Sequence, residues 1–126
     1  DFDGNRPSGN NLIDLFAYLI RKYGRMDTSE YARIMQLKTS ELRGAILAIG
    51  GMSAMEWRNR YLLLEAQELM ERTDMSITEI AAKLGFSQPS VFSKFFRTLT
   101  KSQPWEWRIE KKKPGSNRKR TYHCYE

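Results

Sequence analysis

Residues 76–108 read SITEIAAKLGFSQPSVFSKFFRTLTKSQPWEWR, and the order of residue types in this stretch decides the fold. Ile77, Ile80, Ala81 and Leu84 recur at three- and four-residue steps, which places them on one face of a helix. Ala81 is small enough to admit a second helix at close range. Gly85 follows, a residue that takes a left-handed turn at no steric cost. Phe86 is placed to plug the angle between two helices, and Ser87 to cap the second one. Pro89 is tolerated there because first-turn amides have no helical partner. Phe92, Phe95 and Phe96 then anchor the second helix, and Gln88, Ser90, Ser93, Lys94 and Arg97 fall on its outer side. This is the layout of a helix-turn-helix unit, whose second helix enters the DNA major groove.

Working outward, the same logic covers most of the chain. Leu12, Leu15, Phe16, Leu19, Ile20 and Tyr23 repeat with helical spacing, with Asn11 as N-cap and Gly24 as stop. Asp27/Glu30, Ser53/Glu56 and Ser76/Glu79 carry the capping-box spacing, in which cap oxygen and glutamate satisfy each other's free amides. Helices are predicted near 28–35, 40–49, 54–72, 77–84, 88–99 and 103–110. No useful length alternates with period two, so the expected class is all-α.

A weak internal repeat organises these helices. Met26, Glu30, Ala32, Met35 and Leu37 fall opposite Met75, Glu79, Ala81, Leu84 and Phe86 at an offset of 49. Beyond the turn the offset becomes 50, pairing Leu42, Ile46 and Glu56-Trp57-Arg58 with Phe92, Phe96 and Glu106-Trp107-Arg108. The expected organisation is two homeodomain-like helix-turn-helix lobes, at 11–52 and 75–110, joined by a long linker helix at 53–74. A linker or disordered start at 1–10 and a basic tail at 111–126 flank them.

Composition narrows the function classes. With 126 residues, 40% hydrophobic and 29% charged, the chain has the make-up of an ordinary globular domain. No run approaches the roughly 18 apolar residues that span a bilayer, so no membrane partner is expected. No signal peptide is visible, and the lone Cys124 makes no internal disulfide, so a reducing, intracellular setting is the expectation, cytoplasmic and nucleoid-associated where DNA is the partner. The first residue is Asp1, which suits a piece of a longer chain. The net charge of +6 is unevenly spread: residues 1–75 hold 10 basic and 11 acidic side chains, and residues 76–126 hold 11 and 4. That asymmetry suggests a polyanion partner for the C-terminal half, the competing reading being a basic, solubilising end.

The candidate chemistry fits double-stranded DNA. Gln88 suits paired hydrogen bonds to adenine and Lys94 the acceptors of guanine. Arg97, Lys101 and the amides near Ser87 suit phosphates, which position without specifying. Thr39, Ser40 and Arg43 are the candidates of the first lobe. Lys111-Lys112-Lys113 and Arg118-Lys119-Arg120 suit the phosphate backbone, and Tyr122 and Tyr125 base stacking. His123 and Cys124 cannot fill a four-ligand zinc site, and as neighbours they lack a fixed base–nucleophile geometry. No phosphate loop, carboxylate pair or triad is present, so neither a cofactor nor catalysis is expected. Trp57, Trp105 and Trp107 are expected in core or lobe-edge packing, and Met52, Met55, Met70 and Met75 as gap-fillers.

In Ile77, Glu79-Ile80-Ala81, Leu84-Gly85-Phe86-Ser87, Ser90, Phe92-Ser93, Phe96, Pro104 and Arg108 the sequence resembles the DNA-binding region of the AraC/XylS family of bacterial transcriptional regulators. Looser similarity extends over residues 12–108. The resemblance implies two helix-turn-helix units held by a rigid helix, each addressing one major groove. It also implies a separate sensing domain, which would carry any oligomerisation, and RNA polymerase as a further candidate partner.

Departures cluster in the first unit. Gln36 replaces the turn glycine, Lys38 a capping serine and Gly44 a base-reading arginine, and Glu41 adds negative charge. Leu62 replaces a common arginine in the linker helix; in the second unit Lys101 replaces a glycine and Pro89 a potential donor. The first recognition helix ends in the apolar Ala45-Ile46-Leu47-Ala48-Ile49. The second unit is therefore expected to supply most of the DNA affinity. The alternative is a protein-interaction module that keeps the fold and has lost readout.

Overall fold

A computed structural model describes residues 9–112 as seven helices, with no strand among them. They are α1 (Gly9–Tyr23), α2 (Thr28–Ile34), α3 (Thr39–Gly50), α4 (Ala54–Arg72), α5 (Ile77–Lys83), α6 (Pro89–Thr100) and α7 (Pro104–Lys112). The all-α expectation holds. Two boundaries differ by more than one residue: α1 begins at Gly9, so Asn11 lies inside the helix rather than capping it, and α7 runs on through Lys111 and Lys112. Of the proposed tail contacts, Lys113, Arg118-Lys119-Arg120, Tyr122 and Tyr125 lie outside the described residues, as do His123 and Cys124.

The chain divides into two compact units between Tyr61 and Leu62, within α4. In the first unit, α3 packs on both α1 and α2. Phe16, Ile20, Tyr31, Leu42 and Ile46 are its fully buried core, with Phe16 edge-on to Tyr31 at 5.2 Å between ring centroids. In the second unit, α6 packs on α5 and α7. Ile80, Phe92, Phe96 and Trp107 are buried there, and Phe96 meets Trp107 edge-on at 5.9 Å. Phe86 fills the corner as expected, 5.2 Å from Phe92 and 4.9 Å from Phe95. Each such ring contributes on the order of 2 kcal/mol by leaving water.

The internal repeat is visible in the backbone. Gly85 ends α5 with φ 89°, and Gln36, its counterpart at offset 49, takes φ 62° after α2. Gly51 caps α3 with φ 76°, and Lys101, its counterpart at offset 50, caps α6 with φ 67°. Each unit thus has a repeat-related pair of left-handed positions, one on glycine and one on a residue whose Cβ is strained there.

The Glu-Trp-Arg triplets do matching work in the two units. Glu56 Oε1 accepts the Ser53 N–H at 3.4 Å and Glu106 Oε1 the Gln103 N–H at 3.2 Å, capping α4 and α7. Trp57 lies 5.5 Å from Phe16 and stacks on Tyr61. Arg58 Nη1 donates to the Met26 carbonyl at 2.8 Å; Arg108 donates to the carbonyls of Met70 at 3.0 Å and Thr73 at 2.8 Å. In each unit an arginine thereby ties down the loop that leads into the helix-turn-helix. Burial lowers the basicity of Arg58.

Tyr31 braces the same loop in the first unit. Its hydroxyl donates to the Gly24 carbonyl and accepts the Met26 N–H at 3.1 Å, and burial raises its pKa. Gly24 stops α1 at φ 78°, its N–H bonded to the Ile20 carbonyl at 2.8 Å.

Some local expectations change. The capping boxes at Ser53/Glu56 and Ser76/Glu79 form, but the Asp27 carboxylate makes no capping bond. The Glu30 N–H it would have met is bonded to the Asp27 carbonyl at 2.9 Å. Trp105 and Met55 are exposed, not packed, because their helical positions point away from the cores. No helix among the described residues is long and apolar enough to cross a membrane.

Candidate nucleic-acid interface

Helix α6 starts where proline dictates. Pro89 occupies the first turn, and its ring forces the preceding residue into extended backbone: Gln88 has φ −146° and ψ 148° and is the N-cap. Ser87, expected to cap, therefore lies one residue too early, and Gln88 itself makes no side-chain capping bond. The first-turn amides of α6 thus have no side-chain acceptor of their own at the N-cap. Ser90 Oγ donates to Gln88 Oε1 at 3.4 Å, which holds the two polar side chains together at the start of the helix.

Burial of Phe92, Phe96, Leu99 and Thr100 fixes which face of α6 is inward. Ser87, Gln88, Ser90, Lys94, Arg97 and Lys101 are all exposed, and Ser93 is half-buried at the edge. The second-unit residues singled out from the sequence thus share one exposed side of one helix and its flanks. Among the described residues, Lys94, Arg97 and Lys101 enter no ion pair. Arg108, by contrast, is spent on backbone carbonyls. Val91 and Thr98 are exposed beside this row and were missed from the sequence. Spacing alone pointed to them, since Val91 lies three residues before Lys94 and Thr98 four after it.

Helix α3 is the counterpart in the first unit. Burial of Leu42 and Ile46 turns Ser40, Arg43, Gly44, Leu47 and Ala48 outward, with Thr39 half-buried. Glu41 plays a local role that its charge did not reveal: its Oε1 accepts the Lys38 N–H at 2.8 Å and so caps α3. At offset 50, Gly44 stands opposite Lys94 and Leu47 opposite Arg97. Leu47 is 57% exposed. It joins Thr28, Arg43, Ser53, Ala54 and Met55 around a largely apolar groove of about 400 Å³. Where α6 offers two cations, α3 offers a bare backbone position and an aliphatic side chain.

No group of three or more His, Cys, Asp or Glu among the described residues is placed to hold a metal ion.

Comparison with known proteins agrees with this fold. A family profile described as "Helix-turn-helix domain" matches residues 31–109. The chain is 41% identical to the regulatory protein PocR of Salmonella typhimurium over 58 residues, 46% of this chain and 19% of that protein. It is 31% identical to the HTH-type transcriptional activator RhaS of Enterobacter sp. over 107 residues, 84% of this chain and 38% of that protein. It therefore spans well under half the length of these curated relatives. Among solved structures, the DNA-binding domain of AdpA, a global transcriptional factor in complex with a target DNA, superposes with a TM-score of 0.69 at 23% identity, covering 78% of this chain and 89% of that one. With two helix-turn-helix units, the signature residues of the second and a profile match over most of its described length, the chain belongs to the AraC family of helix-turn-helix transcription-regulator domains.

Proposed function

We propose that this chain binds double-stranded DNA sequence-specifically as the DNA-reading part of a transcriptional regulator, with the second unit supplying most of the affinity. One observation carries the reading: α6 displays Lys94 and Arg97 on an exposed face, at the repeat positions where α3 has Gly44 and Leu47. Inserted in a major groove, α6 would set Gln88 and Lys94 against base edges and Arg97 and Lys101 against phosphates. The first turn, which has no side-chain cap, adds a positive helix end for a further phosphate. Contact with RNA polymerase and any oligomerisation belong, on this reading, to the whole regulator.

The test is selection from a random duplex library at two salt concentrations, followed by single substitutions. Lys94→Ala is expected to relax base preference at one position and cost about 1–3 kcal/mol, whereas Arg97→Ala weakens all sequences alike. Arg43→Ala is expected to cost less than Lys94→Ala; equal losses would overturn the dominance of the second unit. Failure to enrich any duplex would favour the protein-interaction reading.

A further inference from the structure

The first unit lacks cations where the second has them, yet its outer helix face carries a feature with no internal explanation. Gly44 lies in the middle of α3, where glycine weakens a helix. A Cβ built on Gly44 meets nothing within 4 Å. Its neighbour Gly50 is explained from within, since a Cβ there would come 3.2 Å from the Trp57 ring. Nothing among the described residues requires Gly44, and its bare backbone is open towards an outside surface. One turn on, Leu47 projects from the same face, with exposed Ala48 beside it. Arg43, the one cation lining that groove, supplies a phosphate anchor at its edge.

We infer that α3 reads thymine by its C5-methyl group: Gly44 lets the helix backbone come close to the base edges, and Leu47 packs on the methyl. The inference rests on the reading of DNA as the partner. The occupant follows from the repeat, which puts Gly44 and Leu47 at the positions of the exposed cations of α6, so the two outer faces address the same kind of surface with opposite chemistry. In the major groove the apolar mark that an aliphatic side chain can recognise is the thymine methyl. The second unit then supplies most of the charge, and Gly44 and Leu47 of the first supply selectivity for A·T pairs through a contact that adds nothing to the salt dependence.

The experiment starts from the duplex that the chain enriches from a random library. Thymines are replaced one at a time by deoxyuridine, which removes the methyl and keeps every hydrogen-bonding group. At one or more positions the unsubstituted chain should bind the uracil duplex about threefold to fourfold more weakly, the worth of one buried methyl. Leu47→Ala should bind the two duplexes equally. Gly44→Ala should melt at higher temperature and yet bind the thymine duplex more weakly, a combination that a purely structural role cannot produce. A thymine–uracil difference that survives Leu47→Ala, no such difference at any position, or undiminished binding by Gly44→Ala would overturn the inference. Lys94→Ala separates the two levels: if it still weakens binding, only the thymine reading falls, and if it does not, the DNA reading falls with it.

Discussion

Gln36 and Lys101 hold left-handed backbone at φ 62° and 67°, where a Cβ crowds the carbonyl oxygen that follows. Their repeat partners Gly85 and Gly51 take the same conformation freely. Gln36→Gly and Lys101→Gly are each expected to stabilise the fold by about 0.5–1 kcal/mol, the relief of strain exceeding the extra freedom of glycine in the unfolded chain. Denaturant midpoints of the two variants measure this, and a fall in either would mean that the side chain makes contacts worth more than the strain. Both positions were legible in the sequence as places where a glycine is customary and missing. The start of α6 was not, because a serine before a helix reads as a cap. Pro89 decides otherwise through a steric effect on Gln88 that pattern matching does not weigh.

Among elements, the loops entering α2 and α5 depend on arginines far away in sequence. Arg58 reaches the Met26 carbonyl, 32 residues away, and Arg108 reaches those of Met70 and Thr73, 38 and 35 residues away. Removing Arg58 or Arg108 takes the guanidinium donor from the Met26 carbonyl or the Met70 carbonyl, so Arg58→Ala and Arg108→Ala are each expected to cost about 1–3 kcal/mol. Hydrogen exchange should localise the loss to residues 24–35 for Arg58→Ala and to residues 70–84 for Arg108→Ala. Uniform loss across both units would show that these bonds do not act loop by loop. Arg108 was legible as part of a signature and as the repeat counterpart of Arg58, but its partners were not, since carbonyls carry no sequence mark. Conversely, Trp105 was assigned to packing because tryptophan is usually buried, whereas Trp107, two residues on, takes the inward position and leaves Trp105 outside. Helix existence followed from three- and four-residue spacing of apolar side chains. Which aromatic faced inward depended on a helix phase that Pro104 and the Gln103–Glu106 bond set.

For the molecule as a whole, charge and fold are distributed on different plans. The fold is duplicated, with matched glutamate caps, tryptophans and arginine ties, while the charge is concentrated: residues 1–75 carry one net negative charge and residues 76–126 seven net positive. A duplicated scaffold with unequal charge implies unequal shares in any electrostatic binding. Because each phosphate neutralised by Lys or Arg releases condensed counterions, the logarithm of affinity falls with the logarithm of salt by about 0.9 per contact. Arg97→Ala and Lys101→Ala should each flatten that slope by about one unit. Leu47→Ala should lower affinity at every salt concentration without changing the slope, since an apolar contact displaces no ions. Titrating the selected duplex over a tenfold range of salt decides the matter. Parallel lines for Leu47→Ala and flattened ones for the two cation variants are the signature of charge in one unit and shape in the other. A flattened line for Leu47→Ala would mean that the substitution had shifted the docking of the charged face as well, and that the division of labour is not built into the units separately.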